Sequence, residues 1–152
     1  SRSYLYLISR RRTAFGKRYV WWVKDKLDAS KMKQALDTFQ GFHNFASFAD
    51  KRMDKETSTK VHIEGIWLKE FDDIIAMRVL GSHFLWKMVR RIVGITVEAG
   101  RGNLSTSRVE NMLKSYSEMP AHFTAPPSGL FLERVLYAGD KLPEIKLPLS
   151  LL

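Results

Sequence analysis

The chain opens on an apolar run, YLYLIS (4–9), rich in strand-favouring residues, in which Tyr4, Tyr6 and Ile8 share one face. Residues 10–16 read as a basic loop, and residues 19–23 as a second, short extended piece. The period then changes. Met32, Ala35, Leu36 and Phe39 recur at helical spacing behind Asp28, a good N-cap, and Gly41 ends the run. GFHNFASFAD (41–50) reads as a compact aromatic loop, and residues 50–60 as an exposed, mobile polar loop. Residues 61–70 alternate again, Asp72-Asp73 makes a turn, and residues 74–80 return as its partner strand. A break at Gly81-Ser82 leads into a basic helix. Ser105 caps a further helix through Met112 and Leu113 to about Tyr116, residues 120–127 form a proline-marked loop, and LFLERVLY (130–137) is a last strand.

The predicted order is β-α-β-β-α-β with an extra helix before the final strand. That is an α+β chain of the ferredoxin-like, split-βαβ type, an antiparallel sheet with helices on one face. Residues 1–140 make the domain. Residues 141–152 form a tail that is apolar but broken by Pro143 and Pro148, so it is expected across the surface or on a partner. The open face of such a sheet is a common RNA-binding surface, although fold alone does not decide function.

The basic helix lies within FLWKMVRRIVGITVEAGRGNL (84–104). At about 100° per residue, Leu85, Met88, Val89, Ile92, Ile95 and Thr96 fall on one broad arc. Lys87, Arg90, Arg91 and Gly94 fall opposite, with Arg90 beside the apolar boundary. An arginine there can reach sideways into a cleft while its helix stays anchored, and Gly94 lets a backbone or ligand approach. Gly100 is expected to make a left-handed C-terminal cap. By spacing alone, the same stretch is also an ordinary amphipathic helix with a solvated basic face.

Charge sharpens this. Lys and Arg number 25 against 16 Asp and Glu, a net charge of +9, with a pI near 9.9. Such an excess attracts polyanions and favours phosphate contacts. Arg10, Arg11 and Arg12 are consecutive, Lys17 and Arg18 follow, and Tyr19, Trp21 and Trp22 lie beside them. Aromatic planes next to cations suit single-stranded or looped RNA. A half-buried strand tryptophan accounts equally well for one of the pair at 21 and 22.

The 152 residues contain no cysteine, which excludes disulfides and thiolate metal sites and fits a reducing compartment. His43, His62, His83 and His122 are scattered, without metal-ligand spacing. There is no phosphate-binding loop and no nucleophile elbow. Asp50, Asp54, Asp72 and Asp73 are expected to solvate loops. No segment is long and apolar enough to span a bilayer, and the first residues do not form a signal peptide. The missing initiator methionine, with a strand almost at once, suggests an excised domain or processed chain.

Three segments in order, GFHNFASF, FLWKMVRRIVGITVEAGRG and APPSGLFLERVLY, resemble the C-terminal half of the TruA-type tRNA pseudouridine synthases. SRSYLYLI at the start resembles the strand that opens this half, so the likeness runs from Arg2 to Tyr137. These enzymes isomerise uridine without a cofactor: uracil is detached from ribose, rotated, and rejoined through carbon 5. Their nucleophilic aspartate stands in an R-T-D-x-G-x-H motif of the N-terminal half, and this sequence has no such motif.

The resemblance therefore implies half of an active-site cleft, inactive alone. Tyr4 matches the tyrosine lying against the flipped uracil, and Arg90 the arginine that pairs with the catalytic aspartate. Leu130, with Leu132 beside it, matches apolar residues walling the pocket. Core packing explains Tyr4 and the leucines as well, until the resemblance is considered. Cations of the Arg10–Arg12 loop, Lys17, Arg18, Lys87 and Arg91 would hold the RNA. The family often has histidine or a polar residue where this chain has Trp86 and Lys87.

The implied partners are tRNA, usually at the anticodon stem-loop, the N-terminal half with its aspartate, and in many members a second copy. An intracellular location is implied, cytoplasmic in a bacterium and nuclear or organellar elsewhere. A non-catalytic RNA-binding module with the same fold remains compatible with these residues. So, more weakly, does a protein-interaction domain kept soluble by its charge.

Overall fold

A computed structural model describes residues 1–12 and 19–148. Among the described residues, six strands and four helices form a mixed α+β domain, the class that the periodicities predict; β3 and α4 lie in segments expected to be loops. The strands are β1 (Arg2–Ser9), β2 (Trp21–Trp22), β3 (Gly41–Asn44), β4 (Lys60–Phe71), β5 (Ile74–Gly81) and β6 (Leu130–Val135); the helices are α1 (Ala29–Asp37), α2 (Met88–Gly100), α3 (Thr106–Lys114) and α4 (Met119–His122). Across the sheet the order is β2-β1-β5-β4-β3. β6 shares the outer edge of β1 with β2: Leu130–Val135 pairs with the first half of β1 and Trp21–Trp22 with its end.

Local chemistry sets most of these elements. Asp28 accepts from the Ser30 and Lys31 amides, and Ser105 from the Arg108 amide, so both capped helices start where their polar side chains dictate. β4 and β5 pair antiparallel through a tight turn at Asp72, whose φ is 51°. The segment read as an aromatic loop supplies edge strand β3 and a 3₁₀ turn at Ala46–Phe48. Its aromatic spacing hides the alternation: Phe42 is 66% exposed while Phe45 and Phe48 are fully buried against Phe39.

All four helices lie on one face of the sheet, over Tyr6, Ile8, Ile63, Ile75, Met77 and Val79. The second face carries a smaller cluster of Leu5, Leu7, Val20 and Ala76, covered by Ile145 of the tail. The tail thus occupies part of the face expected to be open. Arg78 holds it there, donating 2.7 Å to the Pro143 carbonyl while its other nitrogens grip Glu133 at 2.7 and 2.6 Å. Glu133 is free for this because a bulge between Ser3 and Tyr4 leaves it unpaired, so that Tyr4 pairs with Leu132.

α2 departs most from expectation. It starts at Met88, not at Phe84, and of its residues only Arg90 is not buried. A helix wheel considers one helix in water; here α1, the 3₁₀ turn and α4 close around it on the sheet. A Cβ on Gly94 would overlap the Phe123 carbonyl carbon and oxygen, so the glycine admits another backbone, as its position suggested. Gly100 is helical and packs on Met32 instead of capping; the left-handed residue is Gly102, with φ 86°.

Candidate active-site hollow

Tyr4 from β1, Arg90 from α2 and Leu130 from β6 line one hollow of about 400 Å³. Phe84, Trp86, Lys87 and Pro127 complete much of the rim and wall. Three elements far apart in sequence thus bring together Tyr4, Arg90 and Leu130, three of the residues that the resemblance singled out. The described lining holds two cations, Lys87 and Arg90, and no carboxylate.

Each wall is fixed by its neighbours. The Tyr4 ring meets Phe84 edge-on, with centroids 4.8 Å apart and planes at 77°. Arg90 is tied twice to the Ala-Pro-Pro segment: its Nε donates to the Ala125 carbonyl at 2.7 Å, and its own carbonyl accepts from the Ala125 amide at 3.0 Å. Among the described residues no hydrogen bond uses its terminal nitrogens, so the guanidinium fork remains available to a carboxylate or phosphate. Two residues from Tyr4, Tyr6 is fully buried and donates 2.6 Å to the Pro126 carbonyl. Burial pushes its phenol well above its ordinary value, with the Arg90 charge acting the other way. Tyr6 therefore stays a donor and anchors the wall that positions Arg90.

The support behind the rim is not legible in the sequence. Asp50 is 5% exposed and does not solvate a loop. Its carboxylate accepts from Arg52 Nε at 3.1 Å and Nη2 at 2.9 Å, and from the Arg52 amide at 2.9 Å. Lys87 Nζ lies 3.1 Å away and Arg91 Nη2 3.9 Å away. Hydrogen bonds from Arg52, with Lys87 adding to them, hold this carboxyl well below the usual carboxylate range. Lys87 has a left-handed backbone, φ 64°, a conformation costing ~1–2 kcal/mol in a non-glycine residue. That kink sends Leu85 into the core and leaves Trp86 half-exposed at the mouth. An aspartate directly before a polar run carries no sequence signal that it will be buried.

The other expected cations are elsewhere. Arg91 is a correction: it was expected on a solvated basic face, but it is only 8% exposed and donates 2.7 Å to the Ala49 carbonyl. Arg10 pairs with Glu70 at 3.0 Å and Arg11 with Asp73 at 3.1 Å, beside the β4–β5 turn. Arg12 lies over the Trp22 ring, 5.9 Å from its centroid. Arg10 is six residues along the chain from Tyr4, roughly 20 Å in an extended strand, so this basic and aromatic patch is separate from the hollow. Lys17 and Arg18 lie outside the described residues. Leu132 is 58% exposed and does not line the hollow, although Leu130 does. Among the described residues no group of three or more histidine, aspartate or glutamate side chains could hold a metal, and no helix is long and apolar enough to cross a membrane.

The hollow is thus built from a strand tyrosine, the one arginine of α2 that is not buried and the Gly-Leu start of β6. The family model described as tRNA pseudouridine synthase matches residues 35–138, and the chain belongs to that family. Arg90 and Leu130 fall inside the matched residues. Among relatives, the tRNA pseudouridine synthase A of Clostridium kluyveri is 35% identical over 135 residues, covering 89% of this chain and 55% of the relative. That of Thermosipho melanesiensis is 36% identical over 140 residues (90% and 56%), and that of Aquifex aeolicus 36% over 135 (88% and 54%). The chain spans about half the length of the curated relatives it matches.

Proposed function

We propose that this chain supplies one wall of the active site of an enzyme that isomerises uridine to pseudouridine in tRNA, with the anticodon stem-loop as its target. The observation carrying this reading is that Arg90, the one residue of α2 that is not buried, opens into the hollow shared with Tyr4 and Leu130. A buried helix that exposes a single cation beside an aromatic ring is organised to hold an anion next to a planar base.

In the reaction, the bond between ribose C1′ and uracil N1 breaks, the uracil turns, and C1′ bonds to C5. The C5 proton leaves and N1 regains one. Arg90 pairs with the nucleophilic aspartate, keeping it ionised and oriented. Tyr4 lies against the flipped uracil and is the candidate for taking the C5 proton. Leu130 closes the apolar side. The aspartate comes from the other half of the fold, since this wall is lined by two cations and no acid. In this reading the enzyme needs no cofactor, and two copies associate as in many members of the family.

The test is a uridine-isomerisation assay on tRNA with the full-length protein, the 152-residue chain and full-length Arg90→Ala. The full-length protein is expected to turn over and the chain alone to be inactive. Arg90→Ala should lose more than ~10²-fold in turnover while keeping most of its RNA affinity. Near-normal turnover of Arg90→Ala would remove its assigned role. Salt-dependent RNA binding without turnover by the full-length protein would instead make it a binding module.

A further inference from the structure

We infer that Trp86 and Arg52 form a second base-stacking site at the mouth of the hollow, which takes a nucleotide flanking the target uridine. This rests on the RNA-modifying reading above. Trp86 is 49% exposed, and no burial explains why its indole stands at the rim. The Arg52 guanidinium carbon lies 4.7 Å from the centroid of that ring and Lys87 Nζ 5.5 Å from it. Arg52 therefore lies over the indole as a cation-π partner, and the part of the ring that stays exposed is a braced plane on which an unstacked base settles.

This pair is held in place before any ligand arrives. Asp50 accepts two side-chain bonds from Arg52 and one from its amide, and pairs with Lys87. The Asp50 amide donates 3.1 Å to the Trp86 carbonyl. Asp50 therefore ties down the tryptophan's backbone through its amide and both cations beside it through its carboxylate. The left-handed turn at Lys87 directs Trp86 outward while Leu85 and Met88 remain in the core. A backbone outlier that is this well supported marks a functional position. Trp86 and Lys87 also line the hollow itself, so a base drawn into the hollow leaves its chain neighbour close to the indole. The ligand class is a nucleobase of single-stranded or looped RNA, held by stacking, with Arg52 and Lys87 near its phosphate. Asp50 acts as a positioning residue.

The experiment uses the full-length protein and its substrate tRNA, once the modified uridine has been mapped. Affinity is measured for wild type, Trp86→Ala and Trp86→Phe on intact tRNA and on tRNAs with a single abasic ribose at each position flanking the uridine. Trp86→Ala is expected to weaken intact tRNA by about 5- to 150-fold, the equivalent of ~1–3 kcal/mol of stacking. Trp86→Phe should recover most of that loss. At one flanking position the abasic tRNA should bind wild type and Trp86→Ala equally, because the two losses are the same interaction. The slope of affinity against salt should not change, since tryptophan carries no charge. Unchanged affinity of Trp86→Ala overturns the inference, and so does a loss that persists at every abasic position. A wild-type protein that modifies no uridine overturns both this site and the function it rests on. Modification with an indifferent Trp86 overturns this site alone.

Discussion

Arg90 and Arg91 are neighbours on one helix, yet they belong to different regions of the molecule. Arg90 opens into the hollow and leaves its terminal nitrogens to a ligand. Arg91 points to the other side, where the Ala49 carbonyl and the Asp50 carboxylate take it up. Tyr4 and Tyr6 divide the same way on one strand: Tyr4 faces the hollow, and Tyr6 is buried with its hydroxyl on Pro126. In each pair one residue faces the hollow and its neighbour is buried behind it. The site is thus only one shell deep, and identical side-chain types do opposite jobs within two residues.

The sharpest way to break this comparison is to set Arg91→Ala against Arg90→Ala in the full-length protein. Arg91→Ala should keep turnover within a few-fold of wild type, well below its melting temperature. It should lose about 2–3 kcal/mol of stability, because a buried, charged hydrogen bond and the partner of a carbonyl go together. For a chain of this size that is a fall of roughly 5–10 °C in Tm, read by calorimetry. Arg90→Ala should show the reverse, with a Tm only a few degrees lower and turnover lost. Equal loss of turnover in both would erase the distinction.

The tyrosines give a smaller version of the same test. Tyr6→Phe removes the hydroxyl from the Pro126 carbonyl and should cost about 1 kcal/mol, measured by urea unfolding. Tyr4→Phe should leave stability unchanged and change the rate of isomerisation and its pH profile. A destabilised Tyr4→Phe with normal turnover would reverse their roles.

The smallest effect concerns pH. Because the Asp50 pKa is depressed in the folded protein, its contribution is fully present above the ordinary carboxylate value of about 3.9. It is lost as pH falls through the folded value. Asp50→Asn should therefore melt lower than wild type at pH 7, and the gap should narrow as the pH drops below about 4. A gap that stays constant from pH 7 to pH 2.5 would show that ionisation of the Asp50 carboxylate contributes nothing to it.

Most of the scaffold was legible because it is local. Asp28 and Ser105 cap their helices with their own side chains, and the Asp72-Asp73 turn joins two alternating runs. Arg90 could be singled out from its place on the apolar boundary together with the motifs around it. Arg91 could not be read correctly, since a wheel shows which residues share a face but not what packs on the other one. The burial of Asp50 and the strand at Gly41–Asn44 escape a local reading for a related reason: Arg52 is close to Asp50 in sequence, but Lys87, Arg91 and β4, which enclose or pair with these residues, are distant. The Arg10–Arg12 cluster was visible as charge, but its acidic partners Glu70 and Asp73 come from another hairpin.

The amino-acid sequence by itself determined the order of the main elements, the starts of the two helices capped by Asp28 and Ser105, and the family motifs. Those depend on side chains acting on their own backbone, or on the periodicity of a single segment. Only the tertiary structure decided which arginine reaches the hollow, that the tail covers part of the second face, and that a buried aspartate stands behind Trp86 and Lys87. Burial and pairing are set by surfaces that meet across the fold, and no single segment carries that information.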